Sequence, residues 1–179
     1  KECSYKIIFF NEYFVGVVGL NYLRIFIPTF IFTYTFDNKP KRQFIQQEYI
    51  DHATTLHSLL LQRELSNFDL LSIFFQILCS LEFAQNGFFF THYDLHTENI
   101  LIQENSHHES FKVPIFENDF SFEKPKYIVK IIDYGFSTIM PKVNIILSNC
   151  HLDNFIKYGY YPFFSPGTDM FRVLMSIYT

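Results

Sequence analysis

Residues 90–102, FTHYDLHTENILI, set His92, Asp94, His96 and Asn99 in a polar loop between an aromatic run and a β-branched run. Farther on, YIVKIID (127–133) is a second β-branched run, and it ends in Asp133-Tyr134-Gly135. Short apolar runs bounded by polar turns read as strands. Each residue has a plain explanation by itself: a loop Asp or Asn most often caps a turn, and Asp-Tyr-Gly is a common turn tripeptide. Their order is harder to explain piecemeal. A polar loop sits between short strands after a long apolar helix, and a further carboxylate arrives at the end of the next strand.

The remaining elements follow from periodicity. Residues 4–24 carry helical spacing, with Ile7, Ile8, Tyr13, Phe14, Val17 and Leu20 on one face and Asn11 and Glu12 on another. Residues 31–36 and 43–50 read as strands joined by the polar turn DNKPKR. Thr54 to Leu61 reads as a short helix. Residues 67–85 read as a long helix buried on most sides, with Asp69 complementing its dipole and Asn86-Gly87 closing it. Phe88 to Phe90 then reads as a strand. Residues 103–126 are polar with two prolines and read as an insertion on a β-turn. Residues 136–161 read as a long loop with one short helix. Thr168 is the expected N-cap of a last helix whose apolar face is Met170, Phe171, Leu174 and Met175. The fold class expected is α+β.

Composition excludes several classes. With 179 residues and 49% hydrophobic residues, the chain can bury a single-domain core, and global disorder is ruled out. A net charge of −4 gives no basic field for nucleic acid. Three widely spaced cysteines make neither a disulfide framework nor a thiolate zinc site, so a reducing, cytoplasmic setting is expected. No signal peptide is visible. Residues 13–36 are long and apolar enough to span a bilayer, but Asn21, Arg24 and Pro28 lie near the middle, and a central Arg costs about 3 kcal/mol on insertion. A helix ending near Ile25 followed by a strand is the better reading. The 24 phenylalanines are put down to codon bias.

The segment His92-Tyr93-Asp94-Leu95-His96-Thr97-Glu98-Asn99, followed by a strand and then Asp133-Tyr134-Gly135, resembles the protein-kinase-like superfamily. The first part is similar to the catalytic loop H-x-D-L-x-x-x-N, and the second to D-F-G with Tyr for Phe. The H-x-D-L-H-x-x-N form resembles atypical and small-molecule kinases, where His often replaces the catalytic-loop Lys. The overall likeness is to kinase-like proteins of large DNA viruses, which puts the chain in host cytoplasm or virion. The resemblance implies a partial N-lobe and hinge over residues 1–50 (helix αC, strands β4 and β5) and a C-lobe over 51–179, ending in helix αF. It implies ATP and Mg²⁺ as cofactors and a hydroxyl acceptor, first a protein Ser or Thr and second a small molecule. Asp94 would orient the hydroxyl and accept its proton. Asn99 and Asp133 would be oxygen ligands for the metal, and His96 would contact phosphoryl or substrate. Glu48, Tyr49 and Ile50 would form the hinge to adenine, Glu12 would be the helix αC glutamate, and Asp169 would open helix αF. His92 would be structural, and Gly135 would allow a sharp turn after Asp133.

Several departures qualify that likeness. No Gly-rich loop precedes Asn86, where the only glycines are Gly16 and Gly19, and no strand lysine is available for Glu12. The chain therefore reads as truncated at both ends, and weak or absent activity of these 179 residues alone is expected. Tyr93 stands where protein kinases usually carry an Arg, so phosphate switching through that contact is not expected. The A-P-E tripeptide is missing. A non-catalytic kinase-fold binding module is the main alternative. A metal-dependent hydrolase using His92, Asp94 and His96 is another, since alternate residues of a strand share a face, though it leaves Asn99 and Asp133 unexplained.

Overall fold

A computed structural model describes residues 2–39, 42–63, 65–115, 118–139 and 165–178. The chain is α+β. Helix α1 (Glu2–Val15) passes through a π-helical turn (Gly16–Leu20) into the short helix α2 (Asn21–Arg24). An antiparallel hairpin follows, β1 (Thr33–Lys39) with β2 (Arg42–Gln47), in a register that pairs Phe36 with Ile45. Helix α1 lies against this hairpin through Phe10 and Tyr13, whose rings meet Phe36 at 6.1 and 5.8 Å.

The centre of the molecule is a three-stranded antiparallel sheet. Strand β3 (Thr54–Thr55), β4 (Ile100–Glu104) and β7 (Tyr127–Ile131) lie side by side in the order β3-β4-β7, with Ile100 opposite Ile131 and Ile102 opposite Val129. Helix α3 (Leu56–Gln62) starts at Thr55, whose hydroxyl accepts the Ser58 N–H. Helix α4 (Asn67–Phe88) packs across the sheet, burying Ile73, Ile77, Leu81 and Ala84 along one stripe. The polar residues in that stripe are satisfied. Gln76 donates to the Tyr127 carbonyl at 2.8 Å and accepts the Val129 N–H at 3.0 Å, so its amide takes the place of a neighbouring strand. Between β4 and β7, β5 (Phe111–Ile115) and β6 (Asn118–Phe122) form a separate hairpin held to α4 by the stack of Phe75 on Phe120. Helix α5 (Thr168–Tyr178) closes the described chain.

Several expectations need correction. The Phe88–Phe90 strand is absent: α4 runs through Phe88, and Phe89 ends it in the left-handed conformation. Asn86 and Gly87 stay helical, because the aromatic side chains of that last turn pack on α2, Phe88 against Tyr22. The N-cap of α4 is Ser66, which accepts the Asp69 N–H and donates to its carboxylate. Strand β2 stops at Gln47, and β1 and β2 extend into the expected six-residue turn. The 103–126 insertion is not mere loop, since it contains the β5–β6 hairpin. Asn11 is buried whereas Val17 is exposed, the reverse of the periodic reading: Asn11 shares the buried face of Val15 and donates to carbonyls of the segment after Asp133, and Val17 lies in the π turn. The expected short helix within 136–161 falls almost wholly outside the described residues. Residues 13–36 form helix and then strand, as preferred. Among the described residues α4 is the helix long and apolar enough to cross a bilayer, and its apolar stripe is occupied by the core. Cys79 on α4 is a free thiol whose pKa burial and then Glu82 push up to about 11, which suits a packing role.

The π turn depends on close approach. A Cβ on Gly16 would stand 2.3 Å from the Thr33 hydroxyl, and Asn21 exchanges two hydrogen bonds with the Thr33 backbone, at 2.7 and 2.8 Å. Gly16→Ala is therefore expected to lower stability by about 1–3 kcal/mol in urea denaturation, despite the better helix propensity of Ala.

Candidate active site

The polar loop is built from its backbone outward. Thr91 and Thr138 exchange N–H to carbonyl bonds of 3.1 and 2.8 Å, which brings the two candidate motifs side by side. His92 is fully buried. Its Nδ1 accepts the Asp94 N–H at 3.3 Å, so the proton sits on Nε2, which donates to the Ile132 carbonyl at 2.9 Å. One imidazole thus ties the Asp94 backbone to the strand that carries Asp133. Both of its nitrogens are used, which removes it from any zinc site, and no cluster of three metal-ligating residues occurs among the described residues. The metal-hydrolase alternative loses its ligand set.

Helix α5 fixes the loop from below. The buried Asp169 carboxylate accepts the His92 N–H at 2.7 Å and the Tyr93 N–H at 2.8 Å, one on each oxygen. Burial pushes this carboxyl above its ordinary range, while His92, the two N–H donors and Arg172 oppose the rise. Tyr93 is held with φ of 64°, and Asp133 with φ of 63°. Left-handed backbone at a non-glycine residue persists where surrounding contacts over-determine it, and these contacts do so for Tyr93. The expected apolar face of α5 is corrected here. Val173 is buried and Met170 partly so, but Phe171, Leu174 and Met175 are exposed, because the helix turns Asp169, Arg172 and Ser176 toward the loop.

Asn99 precedes β4 and Asp133 follows β7, at the same end of this antiparallel pair. The Asn99 amide donates to the Asp94 carbonyl at 2.9 Å, which fixes its amide nitrogen and turns Oδ1 the other way. The Asn99 carbonyl accepts the Ile132 N–H at 3.1 Å. Asp133 is exposed, with Oδ1 3.4 Å from the Gly135 nitrogen. The left-handed residue in this turn is Asp133, and Gly135 is needed because a Cβ there would stand 2.7 Å from Ile8. Tyr134 is fully buried, its hydroxyl donating to the Ile131 carbonyl and accepting the Ile31 N–H at 3.2 Å. The Asn11 amide donates to the carbonyls of Gly135 and Ser137 at 3.1 and 2.9 Å, anchoring the segment after Asp133 to α1.

Asp133 opens into a cleft of about 750 Å³, lined also by Glu12, Ile31, Gln47, Glu48, Tyr49, Ile50, Leu101 and Ile132. The cleft joins the sites expected for adenine and metal. Tyr49 is 85% exposed at its mouth. Burial and then the Asp133 charge raise the Glu12 carboxyl to about 7, against a 3.1 Å hydrogen bond from Gln47. Burial would raise Glu48 too, but the Arg24 guanidinium, Lys130 and the Phe32 N–H outweigh it and hold Glu48 below its ordinary value. Its side chain is thus committed to the fold, and only its backbone and edge are left to a ligand. Lys130 is buried and donates to the Pro28 carbonyl at 2.8 Å; burial and then Arg24 bring it down to about 8. His96 caps the 3₁₀ turn Thr97–Asn99, its Nδ1 accepting the Glu98 N–H.

Comparison with known families decides the kinship. The model of the Haspin-like kinase domain matches residues 14–159. The chain belongs to this Haspin-like kinase family. A protein of Invertebrate iridescent virus 3 called "Probable kinase 098L" is 36% identical over 160 residues, covering 88% of the chain and 29% of that protein. "Uncharacterized protein 179R" of Invertebrate iridescent virus 6 is 27% identical over 181 residues, covering 92% of the chain and 15% of that protein. The chain spans less than a third of the length of these relatives, and both are viral, as the resemblance implied.

In this Haspin-like domain Asp133 and residues 47–50 line one cleft, and the loop is bonded to the strand that leads to Asp133. Sequence reasoning missed Asn11, Arg172 and Ser176. The polar spacing Asp169, Arg172, Ser176 in an otherwise apolar helix was the available signal for the last two.

The Glu12 carboxyl sets a pH dependence. The folded protein keeps a proton that the unfolded chain loses between about 4.5 and 7, so this group's contribution to stability is full below pH 4.5 and declines as pH rises to about 7. Glu12→Gln should remove that decline in metal-free buffer. Its stability relative to wild type is expected to rise by on the order of 2 kcal/mol between pH 4.5 and 8, measured by urea denaturation across pH. Asp169→Ala strands two buried N–H groups and is expected to cost about 2–4 kcal/mol in the same measurement.

Proposed function

We propose that this domain is an ATP-dependent phosphotransferase acting on a hydroxyl, a protein Ser or Thr in the first instance. The observation that carries the reading is a loop whose His92 and Asn99 tie Asp94 to the strand leading to Asp133, with Asp133 itself lining a cleft bounded by residues 47–50. We read residues 1–50 as part of an N-lobe with its hinge, α1 and α2 standing as helix αC and β1 and β2 as strands β4 and β5. Residues 51–179 then form the C-lobe as far as the start of helix αF, which α5 represents.

The donors suit Mg²⁺, which prefers hard oxygen ligands: Asp133 supplies a carboxylate and Asn99 an amide oxygen. A bound metal would neutralise charge on the ATP phosphates. Asp94 would accept the proton of the acceptor hydroxyl as its oxygen bonds to the γ-phosphorus and the bond to the β-phosphate oxygen breaks, releasing ADP. His96, with Nδ1 held by Glu98, would present its other nitrogen to phosphoryl or substrate. Backbone groups of Glu48 to Ile50 would meet adenine, over the apolar floor of Leu101 and Ile132. Glu12 would be the helix αC glutamate. Catalysis here consists of positioning and charge stabilisation, which the rigid loop serves.

Thermal and chemical stability in the presence of Mg²⁺ and ATP tests the site. A ligand at 100 times its dissociation constant is expected to add about 2.7 kcal/mol if it binds only the folded state. The gain should require Mg²⁺ and vanish in Asp133→Asn. Asp94→Asn should retain the stabilisation and lose phosphate transfer by about 100-fold or more. Stabilisation without any transfer by the full-length protein would favour the non-catalytic binding module.

A further inference from the structure

We propose that Arg172 is a positioning residue for phosphotransfer, holding the Asp94 carboxylate from helix α5. This rests on the kinase reading given above. The Arg172 guanidinium Nη1 lies 3.5 Å from Asp94 Oδ1. The two side chains are 34% and 27% exposed, so the pair is partly withdrawn from water, where an ion pair holds geometry better than it does on an open surface.

The contact belongs to an ordered set. Asp169, Arg172 and Ser176 fall at positions i, i+3 and i+7, on one face of α5. Asp169 takes the N–H groups of His92 and Tyr93, Arg172 takes the Asp94 side chain, and Ser176 accepts the Thr97 N–H at 3.1 Å. The helix therefore grips the loop in sequence order. It grips backbone at both ends and, at Asp94, the side chain of the residue given the proton-accepting role. A structural clamp would need the outer contacts; the middle one fixes the orientation of a carboxylate.

The loop itself leaves that place open. His96 stands two residues after Asp94, where protein kinases usually place a lysine, and its Nδ1 is occupied as an acceptor of the Glu98 N–H. A guanidinium is charged at every working pH and directs its donors in a fixed plane. Arg172 thus supplies from α5 a permanent cation beside Asp94. Holding Oδ1 aims the other oxygen at the acceptor hydroxyl.

The test uses the full-length protein with Mg·ATP and dephosphorylated casein as the hydroxyl-bearing acceptor, comparing wild type with Arg172→Gln and Arg172→Lys. Each protein is also checked for Mg·ATP-dependent thermal stabilisation. Loss of one aimed catalytic contact is expected to lower kcat about tenfold or more in Arg172→Gln, with KM for ATP within about twofold and the Mg·ATP stabilisation intact. Arg172→Lys should recover part of kcat. If Arg172→Gln does not fold, Arg172→Lys alone decides, with kcat expected about threefold down at unchanged KM. A kcat within about twofold of wild type in the variant that folds overturns the inference and leaves the kinase reading standing. A joint loss of kcat, ATP affinity and stabilisation, not relieved by Lys, also overturns it, since that is the pattern of a merely structural residue. A wild-type protein that is stabilised by Mg·ATP yet transfers no phosphate overturns the kinase reading and this inference with it.

Discussion

One buried carboxylate holds the candidate site in shape. Asp169 has no apolar reason to be at the centre of the molecule, and burying it unpaired would cost several kcal/mol. It is stable there because each oxygen takes a backbone N–H of the loop, from His92 and Tyr93. Those N–H groups would in turn be orphaned without it. The mutual dependence holds Tyr93 in a left-handed conformation, and the next residue, Asp94, is half-exposed at the surface of the loop.

From this point the rigidity spreads through few bonds. His92 carries it to the strand before Asp133 by donating to the Ile132 carbonyl. Asn99 closes a second link, its amide on the Asp94 carbonyl and its own carbonyl on the Ile132 N–H. Tyr134 and Asn11 then join the Asp133 segment to the N-terminal helix, so that Glu12 and Asp133 line the same cleft. The charged groups around Glu48 work differently. Glu48, Arg24 and Lys130 satisfy one another within the fold, which accounts for a buried lysine and leaves the cleft wall mostly apolar.

Legibility followed the range of the interactions. The long helices, the hairpin and the β4 and β7 strands were readable because local periodicity and β-branched runs specify them. The loop motif and Asp133 were readable because their order and spacing lie within short segments. The helix end at Phe88 was not, since an aromatic contact with Tyr22 from another element overrides the Asn-Gly stop signal. The face of α5 was misread for the same reason: an apolar count chose Phe171, Leu174 and Met175, whereas the loop's unpaired N–H groups chose Asp169, Arg172 and Ser176. Asn11 was assigned to the wrong side because the carbonyls of Gly135 and Ser137, far away in the chain, draw its amide into the interior, and apolar periodicity does not record that.

The sequence by itself determined most of the helices and strands, the α+β class and which groups are candidates for the site, because these depend on side-chain chemistry and on spacing within about ten residues. Only the tertiary structure decided which face of each helix is buried, which residues carry left-handed backbone, and which partners fix Asp94. Those outcomes are set by satisfying buried hydrogen-bonding groups between segments 40 to 124 residues apart, and no local pattern records that requirement.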